Sequence, residues 1–358
     1  MKNLKITSIN TFIVLMLSLV LFSSCSDDDQ SSSGAKPVIT SVAASTYDEV
    51  TNMPTDLTPV TKGDPKNYYI IRGTGLSSVQ KIYFNDFDTY FNPVFVTDTE
   101  IFVLIDENTP YANASNQLKL VTKTGTVIYP FVVAPPSPTF GSFSPINAAE
   151  GTEVTIYGKY FLNPVVTIEA TDTEPAINVP VISSTLEKII VKIPANAQHR
   201  YITVANISGK ATSKEAIGTA IYDDAFYAPW TIEAWNNHTY ETDATAQQGT
   251  TYIKKKMDAW DNLQGNWGWD DQIAAYGGIR ISIRGTKPGT LKFIFNEDWS
   301  ERNMLEVKTE WTTYEIPWSA LGNADHVQNI SYQNMSKEGG NGIANEISID
   351  NLGYFLKK

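Results

Sequence analysis

Tryptophan is missing from the first 229 residues of this 358-residue chain, and all eight lie between Trp230 and Trp318. The chain therefore ends in a chemically distinct module. Tryptophan offers a large flat apolar face and one polar N–H, so a cluster beyond the needs of one core suggests a surface that stacks on something flat. Cysteine is nearly absent: Cys25 stands alone, so no internal disulfide can form. Positive charge is also scarce. With 27 Lys and Arg against 39 Asp and Glu, the net charge of -12 argues against nucleic acid and anionic lipid surfaces, which need a positive field to repay counterion release. Three scattered histidines, His199, His238 and His326, give no zinc or transition-metal site without a second cysteine. Helical periodicity is nearly absent, and the only long apolar run is Thr11 to Phe22, shorter than the roughly 20 residues a membrane-spanning helix needs.

That run follows Met1-Lys-Asn-Leu-Lys and precedes Ser23, Ser24 and Cys25, the layout of a secretory signal, predicted over residues 1–24. Cys25 resembles the lipobox cysteine of bacterial lipoproteins, which implies acylation there and a membrane attachment through lipid alone. Residues 25–36 are acidic and Ser/Gly-rich with nothing to form a core, so they read as a flexible tether. The run Asp27-Asp-Asp29 so close behind the cysteine resembles the signal that sends Bacteroidetes lipoproteins to the outer face of the outer membrane. With 42% hydrophobic and 18% charged residues, the remainder suits two or three packed domains rather than disorder.

Two stretches repeat one order of features. Pro37-Val-Ile-Thr-Ser-Val and Pro138-Thr-Phe-Gly-Ser-Phe open them as extended strands. Ile70-Ile-Arg-Gly-Thr-Gly-Leu76 and Thr155-Ile-Tyr-Gly-Lys-Tyr-Phe161 follow, each running into a glycine, Gly73 or Gly158, expected to take a turn conformation closed to bulkier residues. Then Glu100 to Ile105 matches Lys188 to Ile193, and Leu118 to Gly125 matches Ile202 to Gly209, all at period-two alternation. Short strands separated by turns over roughly 100 residues indicate β-sandwiches. The pattern resembles the immunoglobulin-like IPT/TIG domain, predicted over 37–134 and 138–217 with a proline-rich joint at Pro135-Pro136-Ser137-Pro138 between them. Such modules act as spacers, and neither copy gathers a site.

From 222 to 358 the chain alternates again. Gly278-Ile-Arg-Ile-Ser-Ile-Arg-Gly285 puts Ile279, Ile281 and Ile283 on one sheet face for packing, and Arg280, Ser282 and Arg284 on the other, free to bind. Leu291 to Asn296 is apolar on both faces, as a central strand would be, and delivers Trp299 into a loop beyond its end. With Thr312 to Leu321 and Glu346 to Phe355, these segments resemble a jelly-roll carbohydrate-binding module. The whole chain is thus all-β: tandem immunoglobulin-like sandwiches followed by a jelly-roll β-sandwich. A lipoprotein signal, IPT/TIG modules and this last domain together resemble the surface glycan-binding proteins of Bacteroidetes polysaccharide-utilisation systems. That resemblance implies polysaccharide capture at the cell surface, with an outer-membrane glycan importer and companion binding lipoproteins as partners. The implied ligand is a neutral glucan- or hemicellulose-type chain.

A sugar ring shows C–H groups on its face and hydroxyls at its rim, so binding needs flat aromatics with amide, carboxylate or Arg groups around them. The densest such stretch is Trp260 to Asp271. Trp267, Trp269 and Trp299 are the leading stacking candidates, Trp260 and Trp235 stand between core and site, and Asn266, Gln264 and Arg280 supply rim contacts. Trp230, Trp311 and Trp318 are assigned to the core. Asp223, Asp224 and Asp350 occupy positions where similar jelly rolls hold a structural calcium, with bare acidic caps as the equal alternative; no other cofactor is implied. Carboxylates such as Glu297, Asp298, Glu306 and Glu315 form no recognisable spaced pair, and no nucleophile elbow is present, so no catalytic residue is nominated. An adhesin using the same aromatics on a protein is the second reading, and a glycoside hydrolase the third.

Overall fold

The computed structural model describes residues 34–45, 57–265 and 273–357. The signal segment, Cys25, most of the tether, and Asn266, Trp267 and Trp269 lie outside those residues. Within them the chain is all-β, strands joined by turns with three short 3-10 helices. Runs of Val, Ile, Tyr and Thr at period two favour this outcome, because β-branched and aromatic side chains fit a pleated, half-buried surface. Among the described residues no helix is long and apolar enough to cross a membrane.

The chain divides into two compact units, one ending at Pro110 and resuming over Ala114–Val133, the other made of Tyr111–Asn113 with Ala134–Lys358. The first is an immunoglobulin-like sandwich. One sheet runs Val38–Ala44, Tyr68–Thr74, Glu100–Leu104; the other runs Phe87–Thr89, Val79–Phe84, Gln117–Thr122, Gly125–Pro130. Val42, Ile71, Ile82, Phe84, Ile101, Leu118 and Leu120 fill the space between them, fully buried. Each such side chain contributes about 1.5–3 kcal/mol on leaving water.

The second unit opens with a sandwich of the same kind. Its sheets run Thr139–Ser144, Glu153–Lys159, Lys188–Lys192, Val181–Ser184 and Ile177–Val179, Val165–Ile168, Tyr201–Asn206, Gly209–Ala216, around Phe143, Ile156, Ile189 and Ile202. The repeat extends to fine detail. Ile39 pairs with Gly73 beside a bulge between Ile39 and Ser41, and Phe140 pairs with Gly158 beside a bulge between Phe140 and Ser142. The two glycines are needed for a different reason from the one their sequence suggests. Neither has a left-handed backbone. A Cβ on Gly73 would lie 1.8 Å from the Val38 carbonyl oxygen, and one on Gly158 would lie 2.0 Å from that of Thr139, so the bulged strand presses on the glycine itself.

The last sandwich has a larger and a smaller sheet. In the larger, Asn345–Leu356 is flanked on one side by Tyr276–Gly285, which pairs onward with Thr312–Pro317. On its other side, its first half pairs with Thr251–Met257 and its second half with Ala220–Asp223. The smaller sheet runs Asn262–Gln264, Ile330–Asn334, Gly289–Phe295, Met304–Val307. Ile279, Ile281 and Ile283 meet Leu291, Phe293 and Tyr332 in the core between them, as the alternation predicts. Gly289–Phe295 is a central strand, and Leu291 to Phe295 are buried on both faces.

Candidate functional site

The smaller sheet turns one face to the core and the other outward, and its outward residues form rows across the strands. Asn262 pairs with Gln333, Gln333 with Lys292, and Lys292 with Met304; one step along, Gln264 pairs with Ser331 and Ser331 with Ile294. Asn262, Gln264 and Gln333 are partly exposed, whereas Lys292, Ile294 and Ser331 are buried, so the open part of this face lies toward the edge strand. Each of the three amides carries both donors and acceptors of hydrogen bonds, the equipment that sugar hydroxyls need.

Three tryptophans frame this face. Trp235, 60% exposed, sits in the short helix Ala234–Asn236 beside the edge strand. Asn236 fixes that helix there, donating from Nδ2 to the Gln264 carbonyl and accepting from the Gln264 N–H. Trp260, 45% exposed, precedes the same strand with a left-handed backbone, φ +69°. A bulky residue adopts that conformation only where surrounding contacts impose it. Here the Trp260 N–H donates to the Asn334 carbonyl at 3.1 Å, and Gln333 Nε2 donates to the Trp260 carbonyl at 2.9 Å. Trp299, 42% exposed, is turned back over the third strand by Asn296 and Glu297, both left-handed. Asn296 Oδ1 accepts from the Gln328 and Asn329 N–H groups, and Lys292 Nζ donates to the Trp299 carbonyl at 3.1 Å. That contact leaves Lys292 buried although it points away from the core.

Between the Trp299 loop and Lys337 lies a cavity of about 390 Å³ lined by Thr290, Glu301, Met304, Met335 and Lys337. The Lys337 ammonium stands 5.3 Å from the centre of the Trp260 ring, so this hollow lies between the Trp299 loop and the cation above Trp260. Its volume falls at the lower end of ligand pockets, roughly 300–1,000 Å³.

The other tryptophans divide differently from their sequence assignment. Trp230 is buried in the core, and Trp318 packs against it with its indole N–H on the Tyr276 carbonyl. Trp311 corrects the core assignment: it lies half-buried on the outer face of the larger sheet, under the Arg284 guanidinium at 4.5 Å.

Arg280 also needs correction, because it is 2% exposed and offers nothing to a ligand. Its Nη1 donates to the Tyr354 carbonyl and its Nε to Asn351 Oδ1, while Glu215 of the preceding sandwich lies 3.9 Å away and accepts from Asn351 Nδ2. The face that alternation turns away from the core is here covered by the neighbouring sandwich. Asp223, Asp224 and Asp350 are likewise occupied. Asp223 accepts from the Ile146 N–H, Asp224 from those of Thr250 and Thr251, and Asp350 from those of Gln247, Gln248 and Asn351. Lone pairs committed to backbone donors are withdrawn from a hard cation, which needs six to eight oxygens. No group of three or more acidic, His or Cys residues among the described residues is placed to hold a metal. Burial pushes Asp223 up to about 6 and Asp350 up to about 7; the charge of Asp224 raises Asp223 further, and that of Asp223 raises Asp350.

Comparison with protein-family models returned no match, nor did comparison with curated proteins. Among solved structures the chain is similar to the surface glycan-binding protein PbSGBP-B from Prevotella bryantii, at 16% identity and a TM-score of 0.48, covering 90% of this chain and 99% of that one. It is similar to SGBP-B from a complex xyloglucan utilization locus in Bacteroides uniformis, at 16% identity and a TM-score of 0.33, covering 90% of this chain and all of that one. A third likeness is to the mixed-linkage glucan utilization locus SGBP-B of Bacteroides ovatus, in complex with a mixed-linkage heptasaccharide: 10% identity, TM-score 0.24, 80% of this chain and 71% of that one.

Sequence reasoning missed Asn262 and Gln333. Their signal was present in the alternation Asn262-Leu263-Gln264 and Ser331-Tyr332-Gln333, where amides and a hydroxyl surround one buried side chain. It also missed an aromatic cleft of about 300 Å³ on the first sandwich, where Tyr68 stacks on Phe102 beside exposed Tyr90 and Phe95.

Proposed function

We propose that the outer face of the smaller sheet binds a neutral polysaccharide without cleaving it. The observation that carries this reading is the placement of the tryptophans: Trp235, Trp260 and Trp299, the exposed ones among the described residues, all frame one sheet face. Between them lie the neutral amides Asn262, Gln264 and Gln333. Flat rings take the C–H faces of successive sugars, and amides take the hydroxyls at their rims. Lys292, the cation in the row, is buried and committed to the Trp299 carbonyl, and exposed Lys337 lies over the Trp260 ring, so neutral amides supply the row's open polar contacts. Asn266, Trp267 and Trp269 follow Gly265 in sequence and lie outside the described residues; they remain candidates from the sequence alone.

In this reading the protein is a jelly-roll-bearing lipoprotein of the outer membrane, held at the cell surface through Cys25. It captures a glucan- or hemicellulose-type chain for an outer-membrane importer and companion lipoproteins. The lipobox-like Cys25 and the acidic run after it support the location, and the tandem spacer sandwiches support a site carried clear of the membrane. The test is isothermal calorimetry of the full chain against soluble xyloglucan, mixed-linkage glucan, mannan and galactan, with chain length measured before and after. Binding of one class at unchanged length, weakened by Trp260→Ala and Trp299→Ala, is expected. Shortened chains would show hydrolysis instead, and silence with every glycan would leave the protein-adhesin reading.

A further inference from the structure

The larger sheet carries a second, chemically opposite surface. Its outer face is covered by the neighbouring sandwich around Arg280 but open at the other end of the same strands. There Lys254 pairs with Ser348 and Ser348 with Arg284, forming one cross-strand row. Two cavities meet over this region. One, of about 370 Å³, is lined by Lys256, Lys287 and Asn345; the other, of about 360 Å³, by Tyr252, Lys254, Arg284 and Ser348. They share Thr286 and Glu346, so they form one continuous groove.

Four cations line that groove against one carboxylate, Glu346, which is engaged by Lys254 at 3.0 Å. Glu241 acts on Lys254 more weakly from the adjoining strand. Lys256 and Lys287 are exposed and enter none of the ion pairs among the described residues. The net charge of -12 does not cancel this local excess, because exposed charges more than about 8 Å apart are largely screened at physiological salt. A bare solvated lysine face would lack the fixed wall found here. The Arg284 guanidinium lies 4.5 Å from the Trp311 ring centre and 4.9 Å from that of Tyr252, and donates to Thr245 Oγ1 at 2.8 Å. The Trp311 indole N–H is itself bonded to the Thr245 carbonyl, so ring and cation are held before any ligand arrives.

We propose that this groove binds an anionic sugar residue, carboxylated or sulfated, of a polysaccharide chain. Lys256 and Lys287 receive the anionic group, while exposed Thr286, which lines both hollows, offers a hydroxyl to the ring. The proposal rests on the reading of this sandwich as a glycan holder, but uses the opposite sheet and shares no residue with the tryptophan face. A chain carrying both neutral and acidic sugars could therefore engage both faces of one domain.

The experiment titrates the full chain with polygalacturonate (carboxylate), carrageenan (sulfate ester), neutral xyloglucan and poly-glutamate, using the wild type, Lys256→Gln/Lys287→Gln and Trp260→Ala/Trp299→Ala. Binding of polygalacturonate or carrageenan is expected, and which one binds identifies the anionic group. The lysine variant should weaken it about tenfold or more, the scale of losing two charge-assisted contacts, while the tryptophan variant leaves it intact. Both lysines are exposed, so the variant keeps its fold. Failure of both anionic glycans to bind, or binding unchanged by the lysine substitutions, overturns the proposal. Equal binding of poly-glutamate overturns it too, since that marks attraction to charge alone. Xyloglucan binding lost only in the tryptophan variant bears on the other face, so the two readings fail separately.

Discussion

Arg280→Met separates two roles for the same arginine, a rim contact for sugar and a buried clamp between sandwiches. The guanidinium is almost fully buried and makes two hydrogen bonds, to Asn351 Oδ1 and the Tyr354 carbonyl, with Glu215 at 3.9 Å. Hydrogen bonds to a charged group are worth about 1.5–3 kcal/mol each, so removing two costs roughly 3–6 kcal/mol. Arg280 Nη2 has no hydrogen-bond partner, and deleting it returns about 1–3 kcal/mol of desolvation. Methionine fills much of the vacated volume. The net expectation is a loss of about 3 kcal/mol, at the lower edge of what breaking a buried ion pair costs. Urea unfolding of the full chain should show a lower midpoint, with glycan affinity of the folded variant unchanged. Adding Glu215→Gln should recover about 1–2 kcal/mol, because the carboxylate left without its cation is neutralised. A variant as stable as the wild type that has lost glycan binding would refute the clamp and restore the rim contact.

Trp260→Ala and Trp299→Ala should each weaken glycan binding by about 1–2 kcal/mol, roughly 5- to 30-fold by calorimetry, whereas Trp230→Ala, in the core, should cost about 3–5 kcal/mol of stability. Gly73→Ala and Gly158→Ala should each destabilise their sandwich by at least about 2 kcal/mol, since the new Cβ meets a backbone oxygen; thermal melts check this. Folding raises Asp223 to about 6 and Asp350 to about 7, so the folded chain binds protons more tightly than the unfolded one. Their contribution should therefore be greatest near pH 4 and decline as pH rises to about 7, with Asp350→Asn flattening that slope in urea titrations at stepped pH.

The repeat of the first two sandwiches was legible because period-two alternation and paired glycines are local properties of sequence. What the glycines do was not legible, since the carbonyls that press on Gly73 and Gly158 belong to strands more than 15 residues earlier. Arg280 and Trp311 show the same limit. Alternation says which side of a strand faces away from its own core, but not whether another sandwich or a cation covers that side. The sequence nominated Asp223, Asp224 and Asp350 for calcium, whereas the partners the structure gives them are backbone N–H groups of Ile146, Asn351 and residues 247–251, which composition does not reveal. The sequence left Trp235 and Trp260 between core and site; their exposure, and the left-handed backbone that aims Trp260, became visible only in the fold.

The construction of the tryptophan face sets a ceiling on its strength. Three stacking contacts of about 1–2 kcal/mol each give roughly 3–6 kcal/mol, which corresponds to millimolar to tens of micromolar binding, and ordering costs can only weaken it. Lys292 and Asn236 lower those costs by fixing the loop of Trp299 and the helix of Trp235 in advance, yet neither adds a contact to the ligand. A single domain therefore holds a sugar chain loosely. If the proposed lipid anchoring holds, one long polymer would meet several such faces at once, and effective concentration would multiply the affinity without a new contact. Weak sites would suit that proposed arrangement: each releases quickly, so the polymer could move along the array while the array as a whole retains it. The same logic explains why affinity for short oligosaccharides should be poor and should rise steeply with chain length, a dependence that a protein adhesin with one compact epitope would lack.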